Sequence, residues 1–156
     1  MDRCIAHIVH FFSVLDLPGF NRNNTMDPLD KILRESKTIA VVGLSNNPQR
    51  PAYDVARYLQ RSGYRIIPVN PRESQVLGET AYPDLLSVPD RIDIVDIFRR
   101  PEFVPEIVQQ AIARNVQVVW MQPGAENYDA AEQAQAAGLV TIVGMCLRVR
   151  HKHTQT

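Results

Sequence analysis

The sequence predicts one α/β domain built on a doubly wound parallel sheet of about five strands. Its 156 residues, 45% of them hydrophobic and 22% charged, suit a single soluble domain with a substantial core. From residue 27 onward, β-branched apolar runs alternate with amphipathic stretches, and Pro or Gly punctuates them. Such alternation indicates β-α-β units with right-handed crossovers and helices on both faces of the sheet. The expected architecture is therefore Rossmann-like.

Capping residues and branched runs predict the first elements. Asp27 and Pro28 are an N-cap and a first-turn proline, which indicates a short helix. Thr38–Leu44 is a continuous β-branched run, as expected of a strand covered on both faces. Pro51 then begins a helix that ends at Gly63.

The same pattern repeats to the end of the chain. Pro101 is expected to begin a helix with Phe103 facing inward, and the alanine-rich segment Tyr128–Ala137 predicts another helix, ended by Gly138. Five more apolar runs predict strands, the second of them only a short connection: Arg65–Asn70, Gly78–Tyr82, Ile92–Phe98, Val116–Met121 and Leu139–Val143.

The two ends of the chain are expected to lie outside the domain, which we place at residues 26–150. The apolar stretch Ile5–Phe12 is too short and too interrupted by histidine to span a bilayer, and it lacks the features of a signal peptide. We therefore interpret residues 1–25 as an extension outside the core, with Met26 as the functional start; a short helix covering part of the core is the alternative. Residues 151–156 are predicted to be a frayed tail.

Charge and cysteine content exclude several classes of function. Seventeen basic and seventeen acidic residues cancel, so neither nucleic acid nor a membrane is an expected partner. The two cysteines, Cys4 and Cys146, are too far apart in sequence to suggest a disulfide framework or a metal cluster, which favours the reducing cytoplasm. All four histidines lie outside the patterned middle, so no zinc site is expected.

The loop after the first strand is a candidate phosphate site. Ligands of open parallel sheets bind beyond the carboxyl ends of the strands. There, Gly43 allows close backbone approach, Ser45 and Asn46 offer polar groups, and the amides of the following helix point to the same space. Arg50 adds donors that match phosphate oxygens. The alternative interpretation is an ordinary turn.

The loop after the second strand discriminates between cofactors. Domains that prefer NAD carry an acid there, whereas this chain has Asn70, Pro71 and Arg72. The first loop also lacks Gly-x-Gly-x-x-Gly, which argues against both NAD and FAD. A non-acidic loop accepts a 3′-phosphorylated adenosine, as in coenzyme A (CoA), or alternatively NADP. Asn70-Pro71 is also compatible with a plain strand terminator.

Two further loops complete the candidate site. Arg99 and Arg100 follow the third long strand, where they either attract an anion or form a solvated pair. Trp120, Met121 and Gln122 either provide a flat wall for a ligand or, as tryptophan more often does, contribute to the core.

The chain resembles the small stand-alone CoA-binding domain proteins of bacteria, which are similar to the amino-terminal domain of the succinyl-CoA synthetase α subunit. The resemblance extends from Asp27 to about Val149, and VNP, FRR and WMQ in this order are its specific motifs. The matching stretches are Ile39–Ser45, Ile67–Pro71, Asp96–Arg100, Val119–Gln122 and Cys146-Leu147.

This resemblance implies a Rossmann-like fold that binds CoA. By position, it implies that phosphates are held by Gly43, Leu44, Ser45, Asn46 and Arg50. It places Asn70, Pro71 and Arg72 near the adenosine. The rest of the groove would be lined by Phe98, Arg99, Met121 and Gln122. The chain departs from the family pattern at Gly144-Met145, where Asp-Arg is usual, and at Arg150, where Glu usually precedes the histidine. The resemblance therefore implies no role for carboxy-terminal acids at these positions.

The sequence contains no evident catalytic apparatus. No histidine lies between Thr25 and Arg150, no paired carboxylates are visible, and Cys146 is the one candidate nucleophile near the expected site. We therefore expect a CoA- or acyl-CoA-binding module that acts as a carrier, a sensor or a partner of an acyl-CoA enzyme. The alternatives are an NADP-dependent oxidoreductase and a redox protein acting through the Cys146 thiol. The acyl group, protein partner and oligomeric state are not encoded in any recognisable motif.

Overall fold

The computed structural model describes residues 26–156; the predicted extension at residues 1–25 lies outside the described residues. Helices and strands alternate, and a short hairpin follows the second strand. In chain order the elements are α1 (Pro28–Glu35), β1 (Thr38–Val42), α2 (Pro51–Arg61), β2 (Arg65–Val69), β3 (Gln75–Val76), β4 (Glu79–Thr80), β5 (Ile94–Ile97), a 3₁₀ helix (Pro101–Phe103), α3 (Val104–Ala113), β6 (Val118–Met121), α4 (Tyr128–Ala136), β7 (Val140–Val143) and α5 (Leu147–Thr154).

The main sheet has five parallel strands in the order β2-β1-β5-β6-β7. The chain winds from β1 outward to β2 and then returns to build the other half from β5. The order of winding therefore reverses between β1 and β5, which makes the carboxyl ends of these two strands the topological switch point. The predicted α/β class with a doubly wound sheet is confirmed.

Alternate strand residues bury two separate faces of the sheet. In β1, Ile39 and Val41 face the helices α1, α2 and α5, whereas Ala40 and Val42 face α3 and α4. Both faces are covered, which explains why the strands are continuous apolar runs rather than alternating ones. Within residues 26–156, no helix is both long enough and apolar enough to cross a membrane.

Some predicted boundaries are wrong for local reasons. The first strand ends at Val42, because Gly43 turns the chain with a φ of +95°. The predicted connection Gly78–Tyr82 is the second arm of a two-residue hairpin, and Tyr82 adds one parallel bridge to Val69. Phe103, expected inside, is 37% exposed because it lies in the 3₁₀ turn ahead of α3.

The prediction of a frayed tail at residues 151–156 is wrong, because α5 continues to Thr154. His151 is buried, and its Nδ1 lies 2.9 Å from the Tyr58 hydroxyl. Arg150 forms ion pairs with Asp27 and Asp30 at 3.1 and 2.5 Å. Polar contacts thus fasten α5 to α1 and α2, and its amino-terminal end is brought to the carboxyl edge of the sheet.

Candidate functional site

Gly43 occupies the switch point in a conformation that glycine favours. Its φ is +95°, and its N–H donates to the Val69 carbonyl at 2.9 Å. A Cβ at this position would lie 2.4 Å from the Phe98 carbonyl oxygen, too close for any side chain. The loop after β1 therefore passes directly over the end of β5.

Two cavities open on either side of Gly43 along the carboxyl edge. The larger, about 490 Å³, lies between the amino-terminal ends of α2 and α5 and the loops after β5 and β6. The smaller, about 360 Å³, lies between the loop after β2, the segment Pro83–Leu85 and α3. Gly43 and Arg99 line both cavities, which are therefore adjacent across the switch point, and together we call them the groove.

The larger cavity is strongly electropositive. Two helix N-termini open onto it, and its walls include Arg50, Arg99, Arg100 and Arg148. The one acid in its lining, Asp54, is already ion-paired with Arg148. Arg50 forms no ion pair within the described part of the chain, and its side chain is exposed. Anionic oxygens are the groups that such a site favours.

The arginines on the far side of the larger cavity are partly held by neighbours. The Arg99 guanidinium lies 4.4 Å from the centre of the Phe103 ring, and Arg100 lies 5.3 Å from the same ring. Arg100 also pairs with Glu102 at 3.4 Å, but both side chains are largely exposed. Stacking on an aromatic ring fixes the direction of a guanidinium without neutralising its charge.

Seven of the twelve predicted site residues line the two cavities: Gly43, Arg50, Asn70, Pro71, Phe98, Arg99 and Gln122. The other five do not. Ser45, Asn46 and Arg72 lie on the flanking loops, and the side chains of Leu44 and Met121 are fully buried in the core. The predicted ligand roles of all twelve residues remain predictions.

The two predicted asparagines hold the loops in place. The Asn46 Nδ2 donates to Glu73 Oε2 at 2.7 Å and to the Gln75 carbonyl at 2.8 Å, while its backbone N–H donates to Glu73 Oε1 at 3.1 Å. The Asn70 Nδ2 donates to the Leu44 carbonyl at 3.1 Å. Both amides therefore connect the loop after β1 to the segment after β2.

A buried polar pair lies beneath the larger cavity. Asp96 is fully buried and Gln122 is 2% exposed, and the Gln122 Nε2 donates to Asp96 Oδ1 at 2.8 Å. The second oxygen, Oδ2, has no hydrogen-bond partner among the described residues. Burial raises the pKa of Asp96 to about 8, although the hydrogen bond from Gln122 acts in the opposite direction.

Cys146 immediately precedes α5 and lines the larger cavity, and its side chain is half-buried. The loop before it is anchored by Trp120, whose Nε1 donates to the Met145 carbonyl at 2.7 Å. Trp120 is fully buried, so its core interpretation is confirmed and its alternative role as a ligand wall is wrong.

Three residues of this region were not predicted from the sequence. Arg148 and Asp54 meet in the cavity wall, although they are 94 residues apart in the chain. Glu73 holds Asn46 across 27 residues. Recognising α5 as a helix would have placed Arg148, because residues in the first turn of a helix share the edge to which the preceding strand points.

The fold and the groove define a Rossmann-like domain with an electropositive cavity at its switch point. Comparison with known proteins identifies the family: a model for the CoA-binding domain matches residues 37–152, and the chain belongs to this family. This confirms the resemblance stated above.

The relatives are of two kinds. The uncharacterized protein YneT of Bacillus subtilis is 37% identical over 86% of this chain and 99% of its own length. A hypothetical protein of Pyrococcus horikoshii superposes with a TM-score of 0.79 at 37% identity, over 85% of this chain and 99% of that one. The α subunit of an ADP-forming acetate–CoA ligase II from Pyrococcus furiosus is 29% identical, but the match spans only 28% of it.

Proposed function

We propose that this protein binds CoA or an acyl-CoA in the groove at the switch point and acts as a carrier, a sensor or a partner of an acyl-CoA enzyme. The observation that carries the proposal is the larger cavity, where two helix N-termini and four arginines surround one already paired acid. A site of this kind is suited to a phosphorylated ligand. The proposal locates the protein in the reducing cytoplasm.

The shape of the groove favours a long ligand with its charge near the middle. Arg99 lines both cavities, so a ligand whose diphosphate lies at Arg99 would extend one end into each cavity. The smaller cavity includes Asn70 and Pro71 at the end of β2, the place where Rossmann-like domains hold an adenosine. Asn70 stands where domains that prefer NAD carry an acid, and this difference supports CoA over NAD. Membership of the CoA-binding family supports the same choice.

Calorimetric titration tests the proposal directly. CoA should bind with a dissociation constant in the micromolar range, on the order of −8 kcal/mol. Dephospho-CoA should bind less tightly, because it lacks the 3′-phosphate. Tighter binding of NADP than of CoA would favour the oxidoreductase alternative, and the absence of heat with either ligand would refute the proposal.

A second candidate function is thiol chemistry at Cys146, favoured by its place in the lining of the larger cavity. Attack of the Cys146 thiolate on CoA disulfide would form a mixed protein–CoA disulfide and release one equivalent of CoA thiolate. This reaction needs a disulfide co-substrate and no other oxidant. Intact-protein mass after incubation with CoA disulfide tests it, and an unchanged mass argues for a plain binding module.

A further inference from the structure

Asp96 is the one acidic side chain among the buried residues of the described chain. It lies in the middle of the sheet, paired in register with Val41 of β1 and Trp120 of β6. Asp96 does not reach either cavity, and its single hydrogen bond comes from Gln122, which does. Burying a carboxyl that has only one hydrogen-bond partner destabilises the fold, which raises the question of what Asp96 does for Gln122.

The contact determines which way the Gln122 carboxamide points. Gln122 Nε2 donates to Asp96 Oδ1, while Asp96 Oδ2, the oxygen that can carry a proton, faces no partner among the described residues. Nε2 therefore faces Asp96 and Oε1 faces away. Oε1 has no hydrogen-bond partner among residues 26–156, and the side chain lines the larger cavity. Gln122 thus offers an acceptor in a cavity otherwise rich in donors.

We propose that Asp96 is a positioning residue that holds the Gln122 oxygen toward the larger cavity, where this oxygen accepts a hydrogen bond from an amide N–H of the pantetheine arm of CoA. The inference rests on the proposed function. Phosphate oxygens accept hydrogen bonds and would be repelled by Oε1, whereas the arm carries two secondary amides.

The geometry of the groove assigns the part of the larger cavity beside Gln122 and Cys146 to this arm. If the diphosphate lies at Arg99 and the adenosine at Asn70, the rest of the ligand extends toward Gln122 and Cys146. The walls there include the apolar Val55, Ala125 and Pro123. A slender, mostly apolar arm with isolated amides matches such a lining.

The test compares CoA with adenosine 3′,5′-bisphosphate, which retains the nucleotide half and lacks the arm. Asp96→Leu preserves the branched shape but removes the acceptor that holds Gln122 Nε2, and Gln122→Met removes the Oε1 acceptor. Each should weaken CoA roughly three- to tenfold, as expected for one hydrogen bond, and leave the bisphosphate unchanged. In a Gln122→Met background, Asp96→Leu should have no further effect, because its action passes through Gln122. Thr141→Val removes another buried, unpaired oxygen and is the matched control, without effect on either ligand.

Three results would overturn the assignment: CoA affinity unchanged by Asp96→Leu, equal weakening of both ligands, or independent effects of the two substitutions. Equal weakening would mean that Gln122 contacts the adenine instead. If Asp96→Leu fails to fold, Gln122→Met alone decides through the same pair of ligands. Wild-type protein that binds neither ligand refutes the proposed function itself and the assignment with it.

Discussion

Replacing Asp96 by Asn should change how the stability of the protein depends on pH. In the unfolded chain the Asp96 carboxyl has its ordinary pKa of about 3.8, whereas burial raises its pKa in the folded state to about 8. Between these values the unfolded state loses its proton and the folded state keeps it. The contribution of Asp96 to stability is therefore fully present below about pH 4 and is lost progressively as pH rises toward about pH 8.

The magnitude follows from the size of the shift. The pKa values of Asp96 in the folded and unfolded states differ by about four, and each unit is worth about 1.4 kcal/mol of unfolding free energy. The protein therefore loses roughly 5–6 kcal/mol above pH 8, and about 4 kcal/mol of this is already lost at pH 7. Asn at this position does not ionise. Relative to wild type, the variant should therefore gain stability steadily from acid to alkaline pH.

Urea unfolding of both proteins at about pH 5 and about pH 9 measures this difference. Taking the difference between the unfolding free energies of the two proteins removes the contributions of other groups. One such group is His151, whose pKa is lowered by burial. A constant stability difference across this range would show that Asp96 ionises normally. That result would refute the description of Asp96 as fully buried beneath the larger cavity.

Four further outcomes are expected. Arg50→Ala should weaken CoA binding tenfold or more without changing the melting temperature, because a charge-assisted hydrogen bond is worth about 1.5–3 kcal/mol. The control is Arg61→Ala, an exposed arginine at the other end of the same helix, and equal loss of CoA affinity in both variants would contradict the assignment. Gly43→Ala should cost at least about 2 kcal/mol in urea unfolding, because of its positive φ and the clash with the Phe98 carbonyl; a stable variant would mean that the loop moves freely. Deleting residues 1–25 should preserve solubility and CoA titration, and an insoluble product would support the alternative in which this segment covers the core. Cys146→Ser should keep CoA affinity within a few-fold of wild type. If CoA slows alkylation of the native Cys146 thiol, the thiol lies in the cavity that binds CoA; equal alkylation rates with and without CoA would show that it lies elsewhere.

The sequence was sufficient for the sheet and for helices α1 to α4, because their signals are local. A branched run such as Thr38–Leu44 and a cap such as Asp27-Pro28 act over a few residues, and the structure retains both with shifts of one or two positions. Gly43 was placed correctly at the carboxyl edge of the sheet for the same reason: the order of elements alone determines where that edge lies.

Helix α5 could not be predicted in this way, since only Leu147 and Val149 of its eight residues are apolar. Its stability comes from distant polar partners, above all Asp27 and Asp30, which pair with Arg150. No periodic pattern records contacts between opposite ends of a chain. Missing α5 also hid one of the two helix N-termini that make the larger cavity electropositive.

Side-chain pairing was equally invisible in the sequence. Asn46 and Asn70 lie at the carboxyl edge of the sheet, as the order of elements predicts, but the polar groups of Asn46 are taken up by Glu73 and Gln75. Gln122 was expected in the groove, whereas nothing in the sequence indicated its buried partner Asp96. Topology positions a residue at an edge; only packing decides which of its polar atoms remain available to a ligand.

Native mass spectrometry of the purified protein, followed by titration with CoA, tests the central claim most directly. The account predicts one bound CoA or acyl-CoA per chain, or an apo protein that takes up CoA in preference to dephospho-CoA and NADP. Bound NADP, or a protein that takes up none of these ligands while its fold is intact, would contradict it.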